Sequence, residues 1–596
     1  MKLKFTLLAV FCYLSFFGQS FKEVNLPKPQ YVSPFYIGPL FTSTIHYGVK
    51  PPNFNGKVIV FNHGYIDLNQ SQFLFDNSFY QNVYDEGYLA VFVATTRGQG
   101  IWVNGELLAE AIDIITNKYN IEQVTLVAHS NGGKASEAAM FHYGKKDKVS
   151  QVFALGTPYY GTYLADISQL PLLKWAWSLT GLNEGARTST TYYCRDVVRP
   201  YFDNKPNNQP GKFVILGASG FYKGSTIAAA AFLLTGGVIL PVQGANDGVA
   251  PYSSTRRPGA LNVFSKNDSR AIFDHLDVSL GKFSWRYVRA HMLNKSATIE
   301  NAPFEEINRR ISSSDYYLIH SANDYEKISF DEGVTSATID IIHETPKSKL
   351  QLFSDQKALY TGSLSDGHST SLKVTQPDTK IKSDSRFLAY VRQNSDLKMY
   401  LEDIPNHEAS VLKVHFKSKN GLSKSIANTR VIATVTKTSE IDGTEVNGEP
   451  IIIEFSNKGN AYYYNTSTLE DGVYSLLLTG EAEGKFKRSL ISGFVVGDVK
   501  ASLNNSTQIN PETAVSANLM LYPTVVKDHA YLEFNNNLSS NTKAQIFTFD
   551  GKQVKTFELS TIDQKKIDVS QHLRSLPKGI YLLKVGSTET IKFIKD

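Results

Sequence analysis

Ser130 has the surroundings of a hydroxyl nucleophile. It lies in the segment AHSNGG (128–133), which follows the β-prone run QVTLV and precedes the helix-like run KASEAAMFHY. A nucleophilic serine is held on a sharp strand-to-helix turn, and the positions two residues before and after it must be small. Ala128 and Gly132 meet that requirement. The segment therefore predicts a serine that attacks an ester or a similar carbonyl.

Such a serine needs a base to accept its proton and a carboxylate to orient that base. Asp247 lies in the Gly-rich stretch GANDGVAPYSS (244–254), and His275 lies in RAIFDHLDVSL (270–280). Taken singly, the aspartate fits an ordinary turn and the histidine fits any polar position. The order Ser130, Asp247, His275 is that of an α/β-hydrolase triad, so together they predict one catalytic unit.

The developing oxyanion requires two backbone N–H groups. The first predicted donor is the N–H of Asn131, which follows the nucleophile. The second is that of Tyr65, since the run VIVFNHGY (58–65) ends a strand at His63-Gly64. The same dipeptide also fits an ordinary strand exit, with His63 as a structural hydrogen bonder.

The elements that must position these residues run from about Gly56 to Arg289. Short apolar segments ending in turns, such as KVIVFNHG, LAVFVATT and QVFALGTP, alternate with helix-length segments such as GELLAEAIDIITNKYN. This alternation predicts a mostly parallel sheet with helices on both faces. The strands are apolar on both faces, as a buried parallel sheet requires. The predicted fold class is therefore α/β.

The pattern changes after about residue 296 to alternating apolar and polar residues with frequent turns, which predicts all-β domains. The expected division of the chain is the following: a signal peptide (1–20), the α/β domain (21–295), two β-sandwiches (296–405 and 406–498), a polar linker (499–517) and a small C-terminal β-sandwich (518–596).

The ends and the charge of the chain limit its possible partners. Lys2, Lys4 and the apolar run 5–17 predict a secretory signal cleaved near Ser20, which leaves Cys194 as the one cysteine of the mature chain. The apolar run 226–242 contains paired glycines and a proline, and we interpret it as a pocket wall or lid rather than a membrane anchor. A net charge of +5 over 596 residues gives no reason to expect a nucleic-acid partner.

Residues 56–290 resemble the secreted bacterial true lipases of the α/β-hydrolase superfamily. The resemblance rests on five motifs in sequence order: VFNHGY, VTLVAHSNGG, ALGTPYYGTYLAD, GANDGVAPYSS and DHLD. It implies that Ser130 is the nucleophile, His275 the general base and Asp247 the residue that orients the imidazole. It also implies that Tyr65 and Asn131 bind the oxyanion.

The chain departs from this family in two places. Several of these lipases hold a structural calcium, and Asp277 matches one of its ligands. The upstream counterpart would fall in 224–236, which contains no acid. One carboxylate is a poor site for a hard cation, so no cofactor is expected and Asp277 is only a weak calcium candidate. The family lid would span about 163–205, where Trp175 and Trp177 suit an apolar flap or, alternatively, core packing.

The last 80 or so residues resemble the C-terminal sorting domain of the type IX secretion system. The matching segments are YPTVVKDHAYLEF, FDGKQV, LPKGIYLLKV and the terminal KFIK. The resemblance implies that the type IX machinery is a partner and that the protein is secreted or displayed on the cell surface.

The expected function is a secreted serine hydrolase of carboxylic esters, most simply a triacylglycerol lipase that works through an acyl-enzyme. Two alternatives stay open. One is an esterase for short-chain or polyester substrates. The other is a surface adhesin with a vestigial hydrolase domain, since over half of the chain lies outside residues 21–295.

Overall fold

The computed structural model describes residues 21–595 apart from a number of gaps. The longest gaps are 30–43, 65–76, 174–183, 294–310 and 506–518. Several predicted features lie outside the described residues: the signal peptide, Tyr65, Trp175, Trp177, most of the linker and the Asp550-Gly551 turn.

The N-terminal unit is built on one eight-stranded sheet with the strand order β1-β2-β4-β3-β5-β6-β7-β8. All neighbouring pairs are parallel except β2 and β4. The strands are Lys22–Asn25 (β1), Thr44–Tyr47 (β2), Val58–Asn62 (β3), Leu89–Ala94 (β4), Val124–His129 (β5), Val149–Leu155 (β6), Phe213–Leu216 (β7) and Leu261–Asn262 (β8).

Both faces of this sheet are covered by helices. The helices are Phe79–Asp85 (α1), Ile101–Tyr119 (α2), Gly132–Glu137 (α3), Tyr163–Ser168 (α4), Glu184–Arg187 (α5), Thr191–Tyr193 (α6), Arg199–Asp203 (α7), Ala229–Gln243 (α8), Tyr252–Thr255 (α9) and Gly281–Leu293 (α10). Residues of α2 pack in the apolar cluster that holds Val58 and Val60. Residues of α1 and α10 pack in the cluster that holds Ile59 and Phe61. Successive strand side chains point to opposite faces, so β3 is buried on both sides, as its unbroken apolar run predicts.

The described residues from 311 to 496 form two β-sandwiches. The sheets of the first have the orders β10-β17-β12-β15 and β11-β16-β13-β14, and Ile339 of one sheet shares a core with Leu350 of the other. Its strands are Tyr316–Ser321 (β10), Glu326–Lys327 (β11), Ala337–His343 (β12), Lys349–Ser354 (β13), Lys357–Ser363 (β14), Ser369–Val374 (β15), Lys380–Ser383 (β16) and Phe387–Gln393 (β17).

The second sandwich consists of two sheets packed face to face. One has the strand order β23-β24-β19-β18-β9, with β20 paired to β19, and the other has the order β22-β21-β25-β26. Its strands are Ile311–Ser314 (β9), Leu397–Asn406 (β18), Ala409–Ser418 (β19), Ser423–Lys424 (β20), Arg430–Ser439 (β21), Ile451–Glu454 (β22), Ser456–Lys458 (β23), Ala461–Asn465 (β24), Gly472–Ala482 (β25) and Phe486–Val496 (β26). The sheets therefore divide near residue 395 rather than 405, because β18 pairs along its whole length with β19.

The predicted linker begins with a helix, Val499–Asn505 (α11). Its Leu503 is 1% exposed and packs in the apolar cluster that contains Val58 of the N-terminal sheet. A polar segment with a single well-placed leucine gives little periodicity, which is why the sequence pattern favours a linker there.

The C-terminal unit contains a three-stranded and a five-stranded sheet around one apolar cluster. Its strands are Leu519–Tyr522 (β27), Val525–Val526 (β28), Tyr531–Phe534 (β29), Thr542–Thr548 (β30), Gln553–Leu559 (β31), Lys566–Asp568 (β32), Gly579–Val585 (β33) and Thr590–Lys595 (β34), with one short helix, Ser570–Leu573 (α12).

The sandwiches pack on residues within 163–173 and 184–203 of the N-terminal unit. The Tyr193 hydroxyl donates to the carbonyl of Ile441 at 2.8 Å, and the Arg195 guanidinium reaches the Asp403 carboxylate at 3.0 Å. The hydroxyls of Tyr163 and Tyr316 lie 3.1 Å apart. Because these groups are buried, the sandwiches form part of the packing around the segment and are not separate appendages.

No helix among the described residues is long and apolar enough to cross a membrane.

Candidate active site

The turn that carries Ser130 is strained. The φ angle of Ser130 is +54°. Residues with a side chain rarely adopt such a value, and those that do are found most often at functional sites. The Ser130 N–H donates to the carbonyl of Leu155 at 2.9 Å, which holds the turn against the neighbouring strand β6. A Cβ placed on Gly132 would lie 2.6 Å from the carbonyl oxygen of His63. Only glycine therefore fits at the position where the sequence predicts a small residue.

The structure brings the three predicted triad residues together. The Nε2 of His275 lies 3.0 Å from the Oγ of Ser130, and its Nδ1 lies 2.8 Å from the Oδ2 of Asp247. The other carboxylate oxygen of Asp247 accepts hydrogen bonds from the N–H groups of Val249 and Ala250. All three triad residues are at least 97% buried. A carboxylate only accepts, so Nδ1 of His275 carries the proton and Nε2 is left to accept the serine proton.

The element that precedes Asp247 differs from the one that the sequence predicts. We expect the acid directly after a strand, but the apolar run before it forms helix α8, which follows β7 after a loop. Residues 229–242 of the predicted wall or lid are accordingly helical and lie beside the site. Phe232 of α8 approaches the imidazole of His275 edge-on, with ring centroids 6.1 Å apart.

His129 holds a position beside the triad that the sequence does not predict. Its Nε2 lies 2.7 Å from the carbonyl oxygen of His275, which can only accept, so this nitrogen donates. Burial, and the nearby His275, hold the pKa of His129 well below its usual range. A neutral His129 thus anchors the backbone of His275. Its position next to Ser130 is the one signal that the sequence contains.

The loop at His63-Gly64 supports the predicted oxyanion site. A Cβ on Gly64 would lie 2.4 Å from the Cβ of Ser130 and 2.9 Å from the backbone nitrogen of Asn131. The ring of His63 donates from Nδ1 to the Gly64 carbonyl at 2.6 Å and accepts at Nε2 from the N–H of Thr95. His63 therefore has the structural hydrogen-bonding role. The second predicted donor, Tyr65, lies outside the described residues.

Asp277, the weak calcium candidate, takes part in hydrogen bonds within the protein. Both of its carboxylate oxygens accept from Ser225, one from its N–H and one from its hydroxyl. In the described ranges, no group of three or more His, Cys, Asp or Glu side chains could hold a metal ion. Asp277 ties the loop before α8 to the loop that carries His275, and its role as a calcium ligand stays a prediction.

Asp274 carries a buried carboxyl that is only half satisfied. One oxygen accepts from the N–H groups of Leu276 and Asp277, and the other has no hydrogen-bond partner. Burial raises the pKa of Asp274 to about 6 from an ordinary 3.8. Because the folded carboxyl keeps a proton that the unfolded one has lost, stability should fall as the pH rises through this interval.

We predict that Asp274→Asn removes this pH dependence. The variant keeps the accepting oxygen but cannot ionise, so its stability relative to the parent protein should increase on the order of 1–3 kcal/mol between about pH 4 and about pH 7. Urea unfolding of both proteins at the two pH values measures the difference. An equal difference at both pH values would contradict the raised pKa.

The described part of the predicted lid is not an exposed flap. Tyr192, Tyr193 and Cys194 are fully buried, and their surroundings include the second sandwich. Sequence cannot show which partner covers an apolar segment. Trp175 and Trp177 lie outside the described residues, so a mobile lid there stays a prediction. Among the exposed apolar side chains are two on α8, Leu233 and Leu240, which are 55% and 48% exposed.

Two family models match the chain. Residues 59–174 match the PGAP1-like alpha/beta domain, and residues 520–596 match the secretion system C-terminal sorting domain. The N-terminal unit has the α/β-hydrolase fold. Its sheet order, its serine turn and this match agree on the fold, and the predicted type IX sorting domain is likewise confirmed. The chain is thus an exported protein whose N-terminal unit has this fold.

One solved structure shares the architecture of much of the chain. The Bacillus licheniformis lipase BlEst2 in its propeptide form covers 76% of this chain and 97% of its own, with a TM-score of 0.55 and 21% identity. Its mature form covers 41% of this chain and 96% of its own, with a TM-score of 0.36 and 26% identity. No curated protein matches the chain in sequence. The first likeness extends the shared fold beyond the hydrolase unit into the sandwiches, because 76% of the chain exceeds that unit.

Proposed function

We propose that this protein is an exported serine hydrolase that cleaves carboxylic esters through an acyl-enzyme. The observation that carries the proposal is the buried line of hydrogen bonds from Asp247 through His275 to Ser130. A serine hydroxyl is a weak nucleophile unless an adjacent base accepts its proton. Here the acceptor nitrogen faces the hydroxyl, and the carboxylate fixes the tautomer that leaves it free.

The reaction follows from this geometry. The Oγ of Ser130 attacks the ester carbonyl while Nε2 of His275 takes its proton, and Asp247 stabilises the imidazolium that forms. The N–H of Asn131 and the predicted N–H of Tyr65 bind the oxyanion. The same imidazolium protonates the departing alcohol. Water then attacks the acyl-enzyme with His275 as base, and the acid is released.

Acylglycerols are the substrate class that we propose first. Helix α8 adjoins the catalytic histidine through Phe232 and exposes Leu233 and Leu240. Exposed apolar surface of this kind is typical of sites that meet a lipid or another apolar partner. BlEst2, with which the fold is shared, is named a lipase. Short-chain or polyester substrates are the alternative.

The C-terminal unit is the part of the chain that would bind the export machinery. The match of residues 520–596 to a sorting domain supports recognition of this unit by the type IX secretion machinery. Esters outside the cell are the substrates that such an enzyme would meet.

A burst experiment tests the proposed mechanism. Purified protein from residue 21 onward should release p-nitrophenol from p-nitrophenyl butyrate in a rapid phase equal to the enzyme concentration, followed by a slower steady rate. It should also release butyrate from emulsified tributyrin. Mass spectrometry of the quenched reaction should find one butyryl group on the peptide that contains Ser130. Hydrolysis with no acylated peptide would refute the acyl-enzyme, and no hydrolysis would refute the function.

A further inference from the structure

Lys134 is a fully buried lysine on the helix that begins directly after the turn of Ser130. Helix α3 runs from Gly132 to Glu137, and Lys134 is 0% exposed. Side chains on an α-helix lean toward its N-terminus, so the Lys134 side chain leans back toward the turn of Ser130 and Asn131. Burial of a charge is costly, which points to a role for an ammonium at this place.

The ammonium of Lys134 donates only to uncharged acceptors. It reaches the Thr188 carbonyl at 3.1 Å, the Ser189 hydroxyl at 2.9 Å and the Cys194 sulfur at 3.5 Å. Burial raises the pKa of the Cys194 thiol, so the sulfur stays neutral at ordinary pH. Burial also lowers the pKa of Lys134, but the three acceptors favour its charged form. An ammonium has three N–H groups, and all three are used here.

The buried carboxylate on the same helix is already bound elsewhere. One oxygen of Glu137 accepts from Arg257 at 2.7 Å, and the other accepts from Arg199. Arg199 also contacts Asp203, at 3.4 Å. With these four groups ionised their charges cancel, so this cluster does not neutralise the positive charge of Lys134.

A short chain of hydrogen bonds joins this charge to Asn131. An ammonium only donates, so the Ser189 oxygen accepts from Lys134. The Ser189 hydroxyl then donates to the Oδ1 of Asn131, at 2.8 Å. The N–H of Asn131 is the predicted oxyanion donor, so the charge lies two hydrogen bonds from the residue that carries this donor.

A fixed positive charge at this place would favour the transition state over the ground state. Negative charge develops on the carbonyl oxygen only when Ser130 attacks, and preorganised charge in a buried site stabilises it more strongly than in water. Hydrogen bonds in a chain also polarise one another. The bound ester is neutral before attack, so the stabilisation should raise kcat and leave KM almost unchanged.

We infer that Lys134 is a positioning residue whose buried positive charge acts through Ser189 and Asn131 to stabilise the oxyanion. This inference rests on the proposed ester hydrolysis and adds a residue to it.

Lys134→Met tests the inference, because it removes the charge and retains an unbranched side chain. The kcat for p-nitrophenyl butyrate, counted per site that a fluorophosphonate probe labels, should fall about tenfold, with KM within about twofold of the parent value. The loss should be smaller than the 10²–10³ expected for a direct oxyanion donor, because the charge acts through intervening groups. Inhibition by 1,1,1-trifluorohexan-2-one, which would add to Ser130 as an oxyanion, should weaken by about the same factor.

Glu137→Gln is the matched control. Glu137 is on the same helix and is equally buried, but its substitution removes a negative charge. It should lower the temperature of thermal unfolding, because two guanidiniums lose a charged partner, and it should not lower kcat per labelled site.

Ser189→Ala keeps the ammonium and removes the hydroxyl between it and Asn131. We expect a fall in kcat of about threefold, again with KM unchanged. This variant decides the question if Lys134→Met does not fold.

The remaining outcomes contradict the inference. It would be overturned by a kcat for folded Lys134→Met within twofold of the parent, by an equal fall in Glu137→Gln, or by an unchanged kcat in Ser189→Ala when Lys134→Met is unfolded. Each of these results leaves ester hydrolysis intact. A parent protein that does not hydrolyse p-nitrophenyl butyrate would instead overturn the proposed function.

Discussion

Ser130→Ala should abolish ester hydrolysis, with a loss in kcat of about 10⁴- to 10⁶-fold. The expected loss is this large because the substitution removes the Oγ that lies 3.0 Å from the imidazole of His275. The substitution removes one atom and leaves the strained backbone turn. Any remaining rate would come from substrate binding and the oxyanion donors alone.

Covalent labelling by a fluorophosphonate probe tests whether Ser130 is the nucleophile without the choice of a particular substrate. The parent protein should be labelled at Ser130, and Ser130→Ala should not be labelled. Ser136→Ala is the matched control, because it removes a buried hydroxyl from helix α3 that donates to the Gly132 carbonyl and does not touch His275. Labelling of Ser130→Ala would place the nucleophile elsewhere. A parent protein that resists the probe would favour the surface adhesin with a vestigial hydrolase domain.

Asp247→Asn should lower kcat by about 10⁴-fold while the fold is kept. The asparagine oxygen can still accept from the N–H groups of Val249 and Ala250, as Oδ1 does now. Its N–H₂ would then face Nδ1 of His275 in place of the carboxylate oxygen at 2.8 Å. The imidazole would have to accept at Nδ1 and carry its proton on Nε2, where it could no longer receive the proton of Ser130.

Steady-state kinetics on p-nitrophenyl butyrate measures this loss, and thermal unfolding shows whether the variant is folded. Asp147→Asn is the control, since the Asp147 side chain is 81% exposed and precedes strand β6, whose other end meets the turn of Ser130. It should keep the parent rate. A rate for Asp247→Asn within about tenfold of the parent would mean that another group orients His275, and the triad as described would be wrong.

The fold class and the nature of the site could be predicted from local patterns. The apolar runs of β3, β4 and β5 are each short enough for a strand and unbroken enough to be buried on both faces. The small residues around Ser130 predict the turn because the turn itself requires them. The last 80 residues carry motifs that the sorting-domain match confirms.

Other local patterns were insufficient to predict the secondary structure or the strand partners. Asp247 follows a helix, α8. The sequence did not predict this helix, because an unbroken apolar segment has no periodicity that separates a helix from other buried structure. The strand β18 belongs to the second sandwich because its partner is β19. Strand pairing depends on register between segments, which alternation within one segment does not contain.

By itself the sequence determined which residue types were available and in what order: a strained serine turn, a later aspartate and histidine, and a terminal sorting domain. Only the tertiary structure decided that Ser130 and His275, 145 residues apart, share a hydrogen bond. It alone revealed the hydrogen bond from His129 to the backbone carbonyl of His275. The physical reason is that a hydrogen bond depends on distance and direction, which the packing of the whole sheet and its helices sets, whereas a motif records only neighbours along the chain.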